Sequence, residues 1–457
     1  MGVSVFDSIL LRQLWGTDEL YAIFCDETKL QKWFDFEAAL ALEQAAMGII
    51  PKEAADDIAA QCNVSLIKLE NIAAGIRAVK HRLVPTLHEV QKLCKPGNGE
   101  WIHYGPTTQD VLDTGLMLQI KDTYALLLRD LKAVGRELYR LSETYRDTPM
   151  AGRTHGVQAL PITFGHKCAI WLREMARHQQ RLTQAQERIL VGSMCGAVGT
   201  MASFGDRAFE LEERVMKRLG LGVADISWAS ARDRLAEFTC LLGLIGGTLG
   251  KIANEIFNMQ RSEFGELEEP FTPGKVGSST MPHKRNPTVI ENVITAGRIL
   301  RYNVSIMQEA MVQENERDGA AWKTEWKVVP ECCLLTGAML AQTKFVLSGL
   351  VVNVDEMRKN LDMLGGYILS EKIMFLLSDK VGKQTAHELI YQASMFGQTN
   401  KLDFFQALLT FDKTRDLFTE EELREALDPA HYVGHAPRLV DRALKMTRDE
   451  CWLNEDA

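Results

Sequence analysis

The chain has 457 residues, of which 46% are hydrophobic and 25% charged, and its formal net charge is -9 at pH 7. That length and apolar content suffice for a large core spread over roughly two to four structural units. The mixed, mildly acidic surface offers no basic face for nucleic acid, so a small anionic ligand would have to be met by local lysines, arginines and helix N-termini.

The opening stretch "MGVSVFDSILLRQLWGTDEL" has neither a basic start nor a small-residue cleavage site. No leader is expected, and the expected compartment is the cytoplasm. Cysteines at 25, 62, 94, 168, 195, 240, 332, 333 and 451 form no CxxC and no metal-ligand spacing. This fits a reducing compartment, with no metal or cofactor expected. Short amphipathic helices, punctuated by Pro51, Pro85 and "CKPGNGE", are expected through about residue 112.

Beyond that point the period lengthens. Leu116, Ile120, Leu127, Leu131, Val134, Leu138 and Leu141 follow one another at three, four or seven residues. The spacing predicts a single apolar stripe on one long helix ending near Pro149. A second helix follows Pro161 through "ITFGHKCAIWLREMARHQQRLTQAQERILV", a third runs from near Asp233 to about Phe264, and two more fit 288–315 and 320–350. The longest apolar run, "FTCLLGLIGGTLG", is too short to span a bilayer, and no membrane association is expected. Cys332 and Cys333 read as helix core. After "LDMLGGYILSEK" the pattern shortens again, which divides the chain into three domains, 1–112, 113–362 and 363–457. Almost no stretch alternates with period two, so the fold expected is all-α, a bundle of long helices side by side. Apolar positions on more than one helix face predict an oligomer.

Four segments at the ends of these helices are dense in polar residues: "IHYGPTTQDVLDT" (102–114), "AGRTHGVQA" (151–159), "GSSTMPHKRNP" (277–287) and "NERDGAAWKTEW" (315–326). Helix N-termini present unpaired N–H groups and a positive dipole to carboxylates, so such ends can converge on one site. In the third segment Gly277, Pro282 and Pro287 forbid regular helix, leaving either a solvated turn or a mobile loop that carries chemistry. The threonines and Asp110 of the first read equally as a helix N-cap. "GAVGT" (196–200) lacks a preceding strand and is no nucleotide fingerprint.

"GSSTMPHKRNP" matches the signature GSSxMPxKxNP of the fumarase/aspartase superfamily at every fixed position. The resemblance extends over essentially the whole chain and is closest to the branch of adenylosuccinate lyase and 3-carboxy-cis,cis-muconate cycloisomerase. It implies an all-α homotetramer with a central long-helix bundle, composite active sites from three subunits, and a loop 277–287 that closes on a small di- or tricarboxylate. It further implies that Ser278, or its neighbour Ser279, is the base that removes a proton beside a carboxylate. Lys284 and Asn286 would meet the charge of the resulting aci-carboxylate. His155 would be the general acid, oriented by Glu291. Thr107, Thr108 and Gln109 would form a carboxylate-binding turn, with His81, Arg153 and Met281 completing the binding set.

Several positions depart from the adenylosuccinate lyase pattern. Arg82 stands where an aspartate usually follows His81, Ala231 replaces the glutamine of "QRDR", and Trp326 stands for an arginine. No "RYSRPEM"-like segment is present. The start "FDS", "SWASARDRLAEF", "WKTEW" and "LDPAHYVG" resemble the cycloisomerase instead. That enzyme, however, has tryptophan where His155 lies, takes its histidine where Gln158 lies, and lacks an equivalent of Glu291. The expected activity is β-elimination of an amine, or an alcohol, from a substituted succinate to give fumarate. The cycloisomerase and a non-catalytic scaffold are the alternatives. Trp322 and Trp326 suggest an apolar surface near the leaving group.

Overall fold

The computed structural model describes residues 4–271, 274 and 277–454, so the first three residues of the segment read as leaderless lie outside it. The first helices are α1 (Asp18–Phe24), α2 (Asp26–Ala46), α3 (Lys52–Gln61), α4 (Leu69–Val79) and α5 (Leu83–Leu93). Then come α6 (Thr108–Thr144), strands β1 (Pro149–Thr154) and β2 (Val157–Thr163), α7 (Phe164–Ile189), α8 (Ala208–Leu219), α9 (Asp233–Met259) and the short strand β3 (Leu267–Glu268). Next follow α10 (Thr288–Glu309), α11 (Gly319–Ser348), β4 (Val351–Val352) and α12 (Val354–Asp362). The chain closes with α13 (Ser370–Val381), α14 (Lys383–Thr399), α15 (Phe404–Thr410), α16 (Glu420–Ala426) and α17 (Ala436–Asp449). Helix dominates, and the two small sheets of the described residues have two strands each, so the class is all-α.

The chain divides into two compact units: residues up to 130 with 178–250 and 295–341, and residues 131–177, 251–294 and 342 onward. In the first, α2 packs on α3 and α8, and its Trp33, Phe34, Phe36 and Leu40 are all buried. Ile120 and Leu127 of the predicted α6 stripe are buried here, and Tyr124 stacks on Phe238 of α9 with ring centroids 5.4 Å apart. Each such large side chain contributes about 1.5–3 kcal/mol relative to exposure. Cys332 and Cys333 lie in the core of α11. The helix carrying "FTCLLGLIGGTLG" extends further than the apolar run alone suggests, and by length and composition it could cross a bilayer. Its residues Leu235, Leu242, Ile245 and Leu249 are instead covered by protein, which makes it a core helix.

In the second unit Leu131, Val134, Leu138 and Leu141 complete the α6 stripe and are all buried. A core of Ile373, Leu377, Ile390, Phe404 and Leu423 holds α13 to α16 together. The feature not expected is the β1–β2 hairpin between α6 and α7, where Pro149 pairs with Thr163 and Thr154 with Val157, with a register shift between Ala151 and Arg153. Its two-residue turn is His155–Gly156, at φ 53° and 79°. Left-handed φ at both turn residues matches the twist of paired strands, and Gly156 adopts it without strain.

Candidate active site

The N-terminus of α6 is built around Asp110. Its buried carboxylate accepts from the Thr107 N–H at 2.9 Å, which closes the first turn from within. It also accepts from the backbone N–H groups of Cys195 and Gly196 at 2.8 and 3.0 Å and from the Ser193 hydroxyl at 3.0 Å. Burial pushes this carboxyl above its ordinary value, and the four hydrogen bonds pull against that rise. The "GAVGT" segment therefore serves as packing against the α6 terminus. Thr107 and Thr108 remain half-buried and reachable.

His81 Nδ1 accepts from the Val84 N–H at 3.1 Å, so the start of α5 is capped by this ring. With Nδ1 accepting, the neutral imidazole carries its proton on Nε2, which lies 3.4 Å from Thr108 Oγ1. Two of the expected binding residues thus meet. Gln109 turns inward: its Nε2 donates to Asp113 Oδ2 at 3.1 Å and to the Ala229 carbonyl at 2.9 Å, so its N–H groups serve the protein itself.

Asp113 leads to a buried charged cluster that the sequence reading missed. Arg232, 1% exposed, donates to Asp113 at 2.8 and 3.2 Å and to Glu325 at 2.8 and 2.5 Å. The Trp322 indole donates to Asp113 at 2.8 Å. Burial pushes Glu325 up to about 7 although Arg232 pulls it down. This cluster ties the second turn of α6 to α9 and α11. Asp318 caps α11 through the N–H groups of Ala320 and Ala321, and Arg317 reaches the Ala197 carbonyl at 2.9 Å. Nothing in the linear pattern marks which carboxylates Arg232 would meet.

In the second unit, Arg153 is held by Glu266 through two parallel bonds of 2.8 and 2.7 Å and lies over the Phe264 ring. Glu266 is fully buried and accepts also from Asn360 at 2.9 Å. Arg153 is thus committed to an internal ion pair that anchors β1. Two residues on, the turn lifts His155 into solvent, where it hydrogen-bonds to no described residue of its own chain.

The signature loop folds back on itself. A Cβ on Gly277 would lie 2.3 Å from the Lys284 carbonyl oxygen, so only glycine permits this approach. Ser278 Oγ accepts from the N–H groups of Thr280 at 3.3 Å and Met281 at 3.1 Å. These two bonds fix the position of the hydroxyl within the loop. Ser279, Met281 and Lys284 are exposed and Asn286 is half-buried. Arg285 leaves the loop to pair with Glu268 at 2.7 Å. Glu269, also missed from sequence, accepts from the Val289 and Ile290 N–H groups and so caps α10, whose first turn carries the exposed Glu291. Among the described residues no hydrogen bond joins Glu291 to His155.

Residues 15–300 match the family described as Lyase, and residues 366–443 match the adenylosuccinate lyase C-terminus. The chain is 43% identical to the N-acetyl-S-(2-succino)cysteine lyase of Dickeya dadantii over 445 residues, 97% of this chain and 98% of that one. It is 42% identical to the protein of the same name from Enterococcus italicus over 455 residues, the full length of both. The crystal structure of a fumarate lyase from a Mesorhizobium species superposes with a TM-score of 0.89 at 36% identity, covering 94% of this chain and 98% of that one.

Proposed function

The chain belongs to the fumarase/aspartase superfamily of lyases, and we propose that it releases fumarate from a succinate substituted at C2 through sulfur, the thioether of an acylated amino acid. The observation that carries this reading is full-length identity of 42–43% with two proteins named for N-acetyl-S-(2-succino)cysteine. A thioether undergoes the same β-elimination as the expected amine or alcohol substrates, with sulfur in place of nitrogen or oxygen.

Ser278 takes the proton from C3, and the electron pair moves into the adjacent carboxylate as the aci form. Lys284 and Asn286 meet that charge. The pair then returns to form the C2–C3 double bond while the C2–S bond breaks, its electrons leaving on sulfur. His155 supplies the proton to sulfur, and Glu291 orients it. A thiol ionises near pH 8.5, so a sulfur leaving group asks less of this acid than an amine does. The two N–H groups on Ser278 Oγ support the base assignment. The unpartnered His155 is consistent with a homotetramer whose composite sites draw on several subunits. We take 1–112, 113–362 and 363–457 as the domains of this enzyme and the cytoplasm as its compartment.

Incubation with N-acetyl-S-(2-succino)cysteine should release fumarate and free thiol in equal amounts. Adenylosuccinate and carboxymuconate serve as parallel substrates. Cyclisation of carboxymuconate with no fumarate from any succinyl compound would overturn the proposal in favour of the cycloisomerase. Inertness toward all three would leave the scaffold reading.

A further inference from the structure

Two departures from the adenylosuccinate lyase pattern, Arg82 and Trp326, lie far apart in sequence and touch in the structure. The Arg82 guanidinium carbon sits 3.3 Å from the centroid of the Trp326 ring. Such stacking holds the guanidinium plane while leaving its N–H edges open. Among the described residues those N–H groups find no acceptor, and Arg82 forms no ion pair.

The pair lines a cavity of about 370 Å³ with Trp33, Leu112, Leu116 and Pro330. The carboxylates on its wall are already engaged: Asp26 lies 3.5 Å from Lys29, and Asp113 is tied to Arg232 and Trp322. Thr108, Leu112 and Leu116 are spaced at four residues along α6 and share one helix face. Thr108 stands one turn before Leu112 on that face, and the contact of His81 with Thr108 sets the next residue, Arg82, on the cavity wall. A succinyl carboxylate at that turn would send its C2 substituent into a mostly apolar space containing a cation without an anion.

We propose that Arg82, positioned by stacking on Trp326, is a specificity residue that binds the carboxylate of the leaving group, so that the enzyme selects succinyl thioethers of acylated amino acids over those of uncharged thiols. This rests on the thioether reading above. A hydrogen-bonded carboxylate–guanidinium contact in a partly apolar site accounts for a preference of roughly 10- to 100-fold. The contact exists before and during the reaction, so it acts chiefly on KM.

The test compares N-acetyl-S-(2-succino)cysteine with N-acetyl-S-(2-succino)cysteamine, the same thioether without the third carboxylate, in wild type, Arg82→Gln and Arg82→Lys. The wild type should prefer the carboxylated substrate in kcat/KM by roughly 10- to 100-fold, and Arg82→Gln should collapse that preference mainly through KM. Arg82→Lys should restore part of it, because the charge returns without the planar stack. Equal losses on both substrates would make Arg82 merely structural and overturn the proposal, as would a wild type that does not discriminate. A wild type that releases fumarate from neither thioether would sink the underlying functional reading, and the proposal with it, before any variant is measured.

Discussion

Ser278 and Glu212 are opposite uses of a polar side chain at the scale of one residue. Ser278 Oγ receives two backbone N–H bonds in a loop open to solvent, which holds the hydroxyl in place within the signature segment. Ser278→Ala should abolish turnover while leaving substrate binding and assembly nearly intact, since in the proposed mechanism the hydroxyl acts only on the transferred proton. Steady-state rates with calorimetric binding would show it, and near-normal rates would transfer the role to Ser279. Glu212 on α8 is 5% exposed and forms no hydrogen bond among the described residues. Burial, with Asp110 and Glu213 adding negative potential, pushes its carboxyl from 4.5 up to about 7. The folded state therefore holds this proton more tightly than the unfolded chain. The stability so gained is complete below about pH 4.5 and is lost as pH rises through 7. Glu212→Gln should accordingly lose less Tm than the wild type between pH 5 and pH 8, by a few degrees in thermal melts. Identical pH profiles would show that Glu212 does not govern this change.

At the scale of elements, three connections hold the residues of the proposed mechanism, and each is shaped by a local backbone requirement. The hairpin turn needs left-handed φ at His155 and Gly156 and leaves His155 exposed. The α6 terminus needs Asp110 to bind four donors at once. The signature loop needs Gly277, because any Cβ there would press on the Lys284 carbonyl and on Arg285 Cα at 3.0 Å. Gly277→Ala should spread the loop and lower kcat on the order of 100-fold, the usual cost of misplacing a reacting group by about 1 Å. Its Tm should hardly change, because the loop is largely exposed and buries little apolar surface. A variant with unaltered kcat would show that this closure has no part in turnover.

For the whole molecule, the decisive surface is the one its own chain leaves open. On α10, Ile299, Tyr302 and Ile306 are 36%, 75% and 40% exposed and fall on one helix face. We read these exposed apolar side chains on one face of a long helix as part of an interface between subunits. It supports the homotetramer proposed above. Tyr302→Glu should shift sedimentation from tetramer to smaller species and cut activity by roughly tenfold or more, with helical content retained. An undisturbed tetramer would take this face out of the assembly.

Helix type, length and approximate ends were legible in the chain because they depend on near neighbours: the Leu127 to Leu141 stripe, and the prolines that bound it, obey a period that needs no partner. The signature loop was legible as a string for the same reason. The hairpin was not, since Gly152, Pro161 and the register shift break the two-residue period, and a histidine is an uncommon occupant of its turn. Nor could the string pair Arg232 with Asp113 and Glu325, Arg153 with Glu266, or Arg82 with Trp326. Those contacts join residues distant along the chain. A charge or a π-face selects its partner only after burial has removed water and packing has set the distance, and both conditions arise when the helices assemble.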